Sequence, residues 1–349
     1  MITSLSLIFL VGLIAAFICQ KIKLPRIIGM LATGIVIGPF VLDLIDPSIL
    51  GISAELRQIA LIIILIKAGL SLDVSDLKKI GRPAILMSFL PALFEIGAFV
   101  LFAPLLMKIS YLESAIMGAV LGAVSPAVVV PRMVQLMENG YGTDKQIPQL
   151  ILAGASLDDV FVIVLFSSFI GIAQGSSAKV IDFVNIPVSI LLGIIIGLVF
   201  GIILSVIFEF AHKKGKSIRQ SLKVIIILGV SFLLISIETW CSGIIKVSGL
   251  LAIMSMACTI KKRTRNEVSA DLSAKYGRLW LAAEIMLFVL VGAAVDIRYT
   301  LKAGILAVIM IIIALVFRSI GVVLSLIGTN LNIKEKFYCI IAYLPKATV

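Results

Sequence analysis

The chain has 349 residues, of which 61% are hydrophobic and 14% charged, and its formal net charge is +11. This composition excludes a soluble globular domain and indicates an all-α polytopic membrane protein. The basic residues lie in short loops between apolar runs, where they indicate topology rather than nucleic-acid binding. Uninterrupted apolar runs such as 191–207 exclude the alternating pattern of a β-barrel.

The residue types that carry most enzyme chemistry give no sign of an enzyme. The four cysteines are scattered through or beside apolar runs without metal-ligand spacing. The single histidine, His212, lies in a basic loop. The sequence has no nucleophile–base set and no glycine-rich phosphate loop, so we expect neither catalysis nor a cofactor.

About twelve apolar segments are long enough to cross a hydrocarbon core about 30 Å thick. Their approximate limits are 3–20, 26–44, 55–72, 83–107, 113–137, 148–171, 184–211, 220–238, 243–260, 278–296, 300–328 and 334 to the end. Lysine and arginine concentrate in alternate loops, beginning with Lys21, Lys23 and Arg26. The positive-inside rule places these loops in the cytoplasm and the N-terminus outside.

Several other charged residues lie inside the apolar segments. Lys67 and Glu95 lie in consecutive antiparallel segments, which favours an ion pair between them. The alternative for Lys67 is a side chain that extends to the membrane surface. Glu284 and Lys346 are further intramembrane charges, and we take them as a candidate second pair.

Two of the predicted spans, the fifth and the twelfth, contain proline. The segments are Ser125–Pro131 and Leu344–Val349. Proline removes a backbone donor, so we expect both helices to open and to free carbonyl groups near Val128–Val130. Interrupted helices in matching halves of a chain point to a transporter binding site, although a plain kink is the alternative for either one. The residues expected to line these breaks are Ser125, Pro126, Val128, Val129, Val130, Pro131, Pro345, Lys346 and Thr348.

Asp158 and Asp159 lie side by side in the middle of the sixth span. One aspartate at that depth costs roughly 3 kcal/mol, and two adjacent carboxylates also repel each other. The pair suits the binding of a small cation or a proton, one in exchange for the other, and Ser156 adds a hydroxyl oxygen. Arg318 lies at a similar depth, about 15 Å from the cytoplasmic end of the eleventh span, and is the natural partner of one aspartate. A purely structural ion pair is the alternative.

Glycines at 193, 197 and 201 follow the small-xxx-small spacing of closely packed membrane helices. This spacing indicates close packing of the seventh span against another helix. The partner helix can belong to a second copy of the chain or to the same chain, and the spacing does not distinguish the two.

Five segments together resemble the NHA-type sodium/proton antiporters of the monovalent cation:proton antiporter superfamily. They are Leu24–Leu31, Lys67–Asp73, Leu121–Pro131, Gly154–Asp159 and Leu344–Val349. The resemblance implies the inverted-repeat antiporter fold, in which two discontinuous helices cross beside the ion site. It implies a core bundle at about 83–171 and 300–349 and dimer or scaffold helices at about 1–44 and 184–260. A homodimer in the plasma membrane is implied as well.

The resemblance also implies roles for individual residues. Asp159 would be the main carrier of cation and proton, and Asp158 would pair with Arg318, where many relatives have lysine. Asp158 and Asp159 would be the ligands of Na⁺ or Li⁺, with no cofactor besides the transported ions. Arginine does not release its proton in proteins, so that base itself would not carry one. Family members continue past the position of Val349, so we expect the chain to be C-terminally incomplete.

Two alternatives remain open at this stage. The first is the same architecture exchanging K⁺ for protons, because side-chain type does not separate Na⁺ from K⁺. The second is a cation channel or a membrane scaffold that transports nothing.

Overall fold

A computed structural model describes residues 1–72, 81–173, 180–213, 218–241 and 245–346, and leaves aside the side chains of seventeen helical residues, Asp159 among them. All the secondary structure in these ranges is helical. The fifteen helices of the described chain are α1 Ile2–Lys21, α2 Arg26–Ile37, α3 Pro47–Gly51, α4 Ser53–Ser71, α5 Arg82–Met87, α6 Leu90–Met107, α7 Tyr111–Gly122, α8 Pro126–Glu138, α9 Ile147–Ala173, α10 Val180–Lys213, α11 Gln220–Cys241, α12 Gly249–Arg263, α13 Asn266–Ala293, α14 Ile297–Ser325 and α15 Ile333–Ala342.

Each predicted span overlaps one helix or two consecutive helices. Eight stretches of the described chain are long and apolar enough to cross a membrane: Ile2–Lys21, Arg82–Met107, Tyr111–Glu138, Ile147–Ile170, Pro187–Lys213, Gln220–Cys241, Asn266–Ala293 and Gly304–Ser325. The other four predicted spans correspond to α2, α4, α12 and α15, which are shorter or more polar. Two spans are each built from a pair of helices, α5 with α6 and α7 with α8. The all-helical, polytopic prediction is confirmed.

The contacts divide the chain into two compact units. Unit 1 consists of Met1–Ile64 with Ala274–Ile305, and unit 2 consists of Leu65–Ser273 with the described residues from Leu306 to Lys346. Segment 184–260 therefore lies in the same unit as segment 83–171. The assignment of these segments to a dimer face and a core bundle stays a prediction.

Unit 1 is packed through glycines that bring helix backbones into contact. A Cβ added to Gly34 of α2 would lie 2.0 Å from the carbonyl oxygen of Val289 in α13. A Cβ added to Gly292 of α13 would lie 2.2 Å from the carbonyl oxygen of Leu31. Without a hydrophobic driving force between helices in lipid, this close backbone contact is a main source of helix association.

Unit 2 contains the proline-interrupted spans, and small residues set the distances between its helices. Gly118 of α7 lies against Phe99 of α6, where an added Cβ would come within 2.9 Å of the phenylalanine Cβ. Gly321 of α14 lies against Pro91 at the start of α6, where an added Cβ would lie 2.7 Å from the proline Cα. Helix α6 is thus held between α7 and α14.

An ion pair at the surface ties two parts of unit 2 together. The Lys145 ammonium, in the α8–α9 loop, donates to the Glu335 carboxylate in the first turn of α15 at 2.9 Å. Glu335 also accepts a hydrogen bond from the backbone N–H of Asn332, which caps the same helix. The Glu335 carboxylate thus links the α8–α9 loop to the start of α15.

The glycine stripe of α10 packs within the chain. A Cβ added to Gly193 would lie 2.6 Å from the carbonyl oxygen of Ser248. One added to Gly197 would lie 2.2 Å from the carbonyl oxygen of Ala252, and one added to Gly201 would lie 2.6 Å from the Cβ of Thr259. The partner helix of the stripe is therefore α12 of the same chain, which decides between the two alternatives left open by the sequence.

We predict that Gly197→Ala lowers the stability of the folded protein by about 1–3 kcal/mol, because the new methyl group overpacks a backbone contact. Gly229→Ala on α11 is the matched control, since a Cβ there meets nothing within 4 Å. Alanine has the higher helix propensity, so the control should be neutral or stabilising. Thermal unfolding of both variants in detergent makes the comparison. Equal melting temperatures for the two variants would contradict this account of α10–α12 packing.

Candidate functional site

The first broken helix opens two residues earlier than predicted, at Ala123 instead of Ser125. Helix α7 ends at Gly122, an extended stretch runs through Ala123 to Ser125, and α8 begins at Pro126. Proline is well tolerated in the first turn of a helix and disfavours helical geometry in the residue before it, so Pro126 starts a helix rather than ending one.

The expected opening between Ser125 and Pro131 is therefore wrong in its position. Val128, Val129 and Val130 are helical residues of α8, and Pro131 lies inside that helix. Pro131 has no N–H to donate to the carbonyl group four residues earlier. Its effect is thus a missing helix hydrogen bond and not a break.

The predicted second break lies at the C-terminal end of α15. The helix ends at Ala342, and Leu344–Lys346 have no regular structure. Thr348 lies outside the described residues. The Ser125 N–H donates to the Pro345 carbonyl oxygen at 3.1 Å, so a backbone hydrogen bond joins the two breaks.

Arg318 of α14 is fully buried where the two breaks meet. Its guanidinium donates to the Glu95 carboxylate at 2.6 Å and to the Asp158 carboxylate at 3.2 Å. The backbone carbonyl oxygens of Gly122 and Tyr343, at 2.6 and 2.7 Å, accept its remaining hydrogen bonds. Both carbonyls lie at helix C-termini, which carry unpaired carbonyl groups and partial negative charge.

Lys346 adds a second cation from the second break. Its ammonium donates to the Glu95 carboxylate at 2.5 Å and to the carbonyl oxygens of Leu121 and Ala123 at 2.8 and 3.2 Å. The C-terminal end of α7 therefore faces both cations. We call Glu95, Asp158, Arg318 and Lys346 the buried charge cluster; with all four groups ionised, its formal charges cancel.

Asp158 is fully buried, and one of its oxygens is satisfied. Its Oδ2 accepts from Arg318 and, at 2.8 Å, from the Val124 N–H in the first break. Its Oδ1 and the Oγ of the buried Ser125 have no hydrogen-bond partner among the described residues. Two oxygen atoms at this break are thus available to a bound ion or to water.

The predicted pairing of Lys67 with Glu95 is wrong. Lys67 lies 3.6 Å from Glu138 at the end of α8, and Glu95 binds Arg318 and Lys346. The sequence signal that could have found the cluster is that Glu95 and Arg318 are buried charges of opposite sign. Their contact depends on which way α6 and α14 face, and adjacency of spans along the chain does not reveal that.

The candidate pair of Lys346 and Glu284 is corrected as well, because the lysine ammonium is held by Glu95. Glu284 belongs to unit 1, where Arg26 is close enough to interact with it electrostatically. Lys346 and Arg318 therefore share the Glu95 carboxylate.

Ser156 is buried on α9, and its hydroxyl donates to the Leu152 carbonyl oxygen at 2.8 Å. The backbone of Asp159 is helical, and its side chain lies outside the part of the chain that the structure describes. No group of three or more histidine, cysteine or acidic side chains with the geometry of a metal site occurs among the residues searched, which are the described ones.

The family model for sodium/hydrogen exchangers, transmembrane, matches residues 5–349. Sodium/hydrogen exchanger 9B2 of Bison bison bison is 36% identical over 329 residues, which cover 93% of this chain and 60% of the relative. Sodium/hydrogen exchanger 9B1 of Homo sapiens is 32% identical over 362 residues, which cover 99% of this chain and 67% of the relative. The chain thus spans about three fifths of the length of relatives such as the bison protein.

A solved structure shares the fold. It is the sodium proton antiporter MjNhaP1 from Methanocaldococcus jannaschii at pH 8, with a TM-score of 0.77 and 22% identity over 97% of this chain and 85% of that one. At this level of identity the likeness establishes the fold alone.

We predict that Glu95→Gln destabilises the fold by about 3–5 kcal/mol, because Arg318 and Lys346 then share a single buried carboxylate. Adding Lys346→Gln should restore part of the lost stability by removing the surplus cation. Glu138→Gln breaks a pair whose glutamate side chain is 51% exposed. This control should cost about 1 kcal/mol or less. Unfolding of purified variants in detergent gives the values, and a double variant no more stable than Glu95→Gln would contradict charge balance.

Proposed function

The chain belongs to the sodium/hydrogen exchanger family, and we propose that it exchanges Na⁺ or Li⁺ for protons across a membrane by alternating access. The carrier would be the Asp158–Asp159 pair, binding cation and proton in competition. The observation that carries this proposal is the buried Oδ1 of Asp158 beside the first break, which has no hydrogen-bond partner among the described residues. A buried oxygen with no protein partner is costly unless an ion, a proton or water meets it.

The two aspartates have different tasks in this proposal. Asp158 is held by Arg318 and by the Val124 N–H, so one of its oxygens is committed to the protein. Asp159 is the main carrier. It lies three residues after Ser156, and residues three apart are neighbours on a helix surface. The Ser156 hydroxyl directs its proton to Leu152, which leaves its oxygen lone pairs for a cation.

Na⁺ and Li⁺ are hard cations that prefer oxygen ligands such as carboxylate, hydroxyl and backbone carbonyl groups. Asp159, Asp158 and Ser156 supply the first two kinds, and Ser125 adds a second hydroxyl at the first break. Protons compete for the same carboxylates, so one site serves both ions in turn. Arg318 stays protonated throughout, because arginine does not titrate in proteins.

Alternating access requires that part of the protein moves relative to the rest around the site. We propose the core bundle at 83–171 and 300–349 as the moving part and segments 1–44 and 184–260 as the scaffold. A homodimer in the plasma membrane, with the N-terminus outside and lipid around the exposed apolar faces, completes the proposal.

We predict that Asp159→Asn abolishes cation-driven proton flux while the protein stays folded, because an amide can neither release a proton nor carry the charge that binds a cation. Asp144→Asn, in an exposed loop, is the matched control and should exchange like the wild type. Proteoliposomes with an internal pH dye, challenged with Na⁺, Li⁺ and K⁺ in turn, provide the assay. Normal exchange by Asp159→Asn would refute the assignment.

The same assay separates the alternatives. Flux driven by K⁺ alone would indicate a K⁺/H⁺ exchanger on this fold. Current far above the turnover of a carrier would indicate a channel. A correctly folded protein without flux would indicate a scaffold.

A further inference from the structure

We propose that a groove of unit 2, between the α8–α9 loop and the first turns of α15, binds an anionic phospholipid. The inference does not depend on the proposed exchange activity. The groove has a volume of about 300 Å³, and apolar side chains form much of its lining: Leu136 of α8, Ile147 and Pro148 of α9, and Tyr338 of α15. An apolar cleft with a few polar groups at its edge is typical of a ligand site.

The groove lies where two membrane-crossing stretches end. Helix α8 closes the apolar stretch Tyr111–Glu138, and α9 opens the stretch Ile147–Ile170. Tyr141, which is 67% exposed, lines the groove from the loop between them. Tyrosine is enriched at the level of the lipid headgroups. The positive-inside rule predicts that this end is cytoplasmic, and the cytoplasmic leaflet carries anionic lipids.

Arg132 of α8 is exposed within an apolar stretch, six residues and so about 9 Å before the end of its helix. Its guanidinium donates to the Gln135 side-chain oxygen at 2.7 Å, and it forms no salt bridge within the described part of the chain. It is close enough to Tyr338 to interact with that residue electrostatically, which places it beside the groove. An arginine at this depth is stabilised where it reaches the membrane surface or an anion.

The charge beside the groove is positive. Lys334 is exposed and lines the groove. Glu335 lines it too, but its carboxylate is already bound by the Lys145 ammonium and by the Asn332 N–H. The charges of Arg132 and Lys334 therefore remain for a ligand. A phospholipid supplies a phosphate for these two cations and acyl chains for the apolar walls, whereas a soluble anion would leave the walls in water.

A lipid in this groove would join the two helices that flank the breaks. Helix α8 begins at the first break, and α15 ends at the second. The Lys145–Glu335 ion pair already links the α8–α9 loop to α15 at one edge of the groove. A bound lipid would add contacts to both parts, so it should raise the melting temperature of the protein in proportion to its occupancy.

The test is native mass spectrometry of the purified protein in detergent, with phosphatidylglycerol and phosphatidylcholine added in turn. The wild type should bind phosphatidylglycerol more tightly. Arg132→Gln combined with Lys334→Gln should weaken that binding by roughly fivefold for each charge removed and leave phosphatidylcholine unaffected. Lys21→Gln combined with Lys23→Gln removes the same charge from two exposed residues of unit 1 and should keep the preference.

A second variant tests the apolar part of the groove without changing any charge. Leu136→Trp fills part of the groove and should weaken the binding of both lipids. Leu105→Trp on α6, where the leucine is 78% exposed, is the control and should bind as the wild type does. Because Leu136→Trp keeps both cations, it tests the site even where loss of the charges unfolds the protein.

Three results would overturn the inference. The first is equal affinity of the wild type for the two lipids. The second is an equal loss of phosphatidylglycerol binding in the two double variants, which would indicate attraction by net charge alone. The third is a wild type that binds neither lipid, which would indicate that another part of the protein or a second copy fills the groove.

Discussion

A fully buried guanidinium imposes the main constraint on unit 2. Arg318 is permanently charged, and the free-energy cost of transferring it from water into a membrane protein is offset only where hydrogen-bond acceptors surround it. The chain supplies two carboxylates and two helix C-termini, those of α7 and α15. Because a continuous helix has no free carbonyl groups in its middle, these two acceptors are available only because α7 and α15 end beside the guanidinium.

The broken helices therefore serve two purposes. Their C-terminal carbonyl groups bind Arg318 and Lys346, and the backbone between α7 and α8 provides the Val124 N–H that binds Asp158. Opposite helix ends carry opposite partial charges, so one break offers sites for a cation and for a carboxylate. The four charges of the buried charge cluster balance among themselves, so in our proposal Asp159 adds the further negative charge and is the main carrier beside Asp158.

The sequence was sufficient for the all-helical, polytopic class, for an interruption close to Pro126 and for the pairing of Arg318 with one of the two aspartates. Apolar length, proline chemistry and depth along a helix are one-dimensional properties that a sequence contains. The partner of Glu95 was not predictable in this way, because it depends on which way α6 faces after the interruption at Ser88–Phe89. The predicted position of the first break is wrong because the missing proline donor predicts an opening across Ser125–Pro131, whereas Pro126 occupies the first turn of α8, where no donor is needed.

The central claim is that cation and proton compete for the Asp158–Asp159 carboxylates. Calorimetric titration of the purified protein with Li⁺ or Na⁺, in buffers of different ionisation enthalpy and at several pH values, measures the protons released per cation bound. Competition predicts proton release, and affinity that weakens as the pH falls. Cation binding that releases no protons and has the same affinity at every pH would contradict the account.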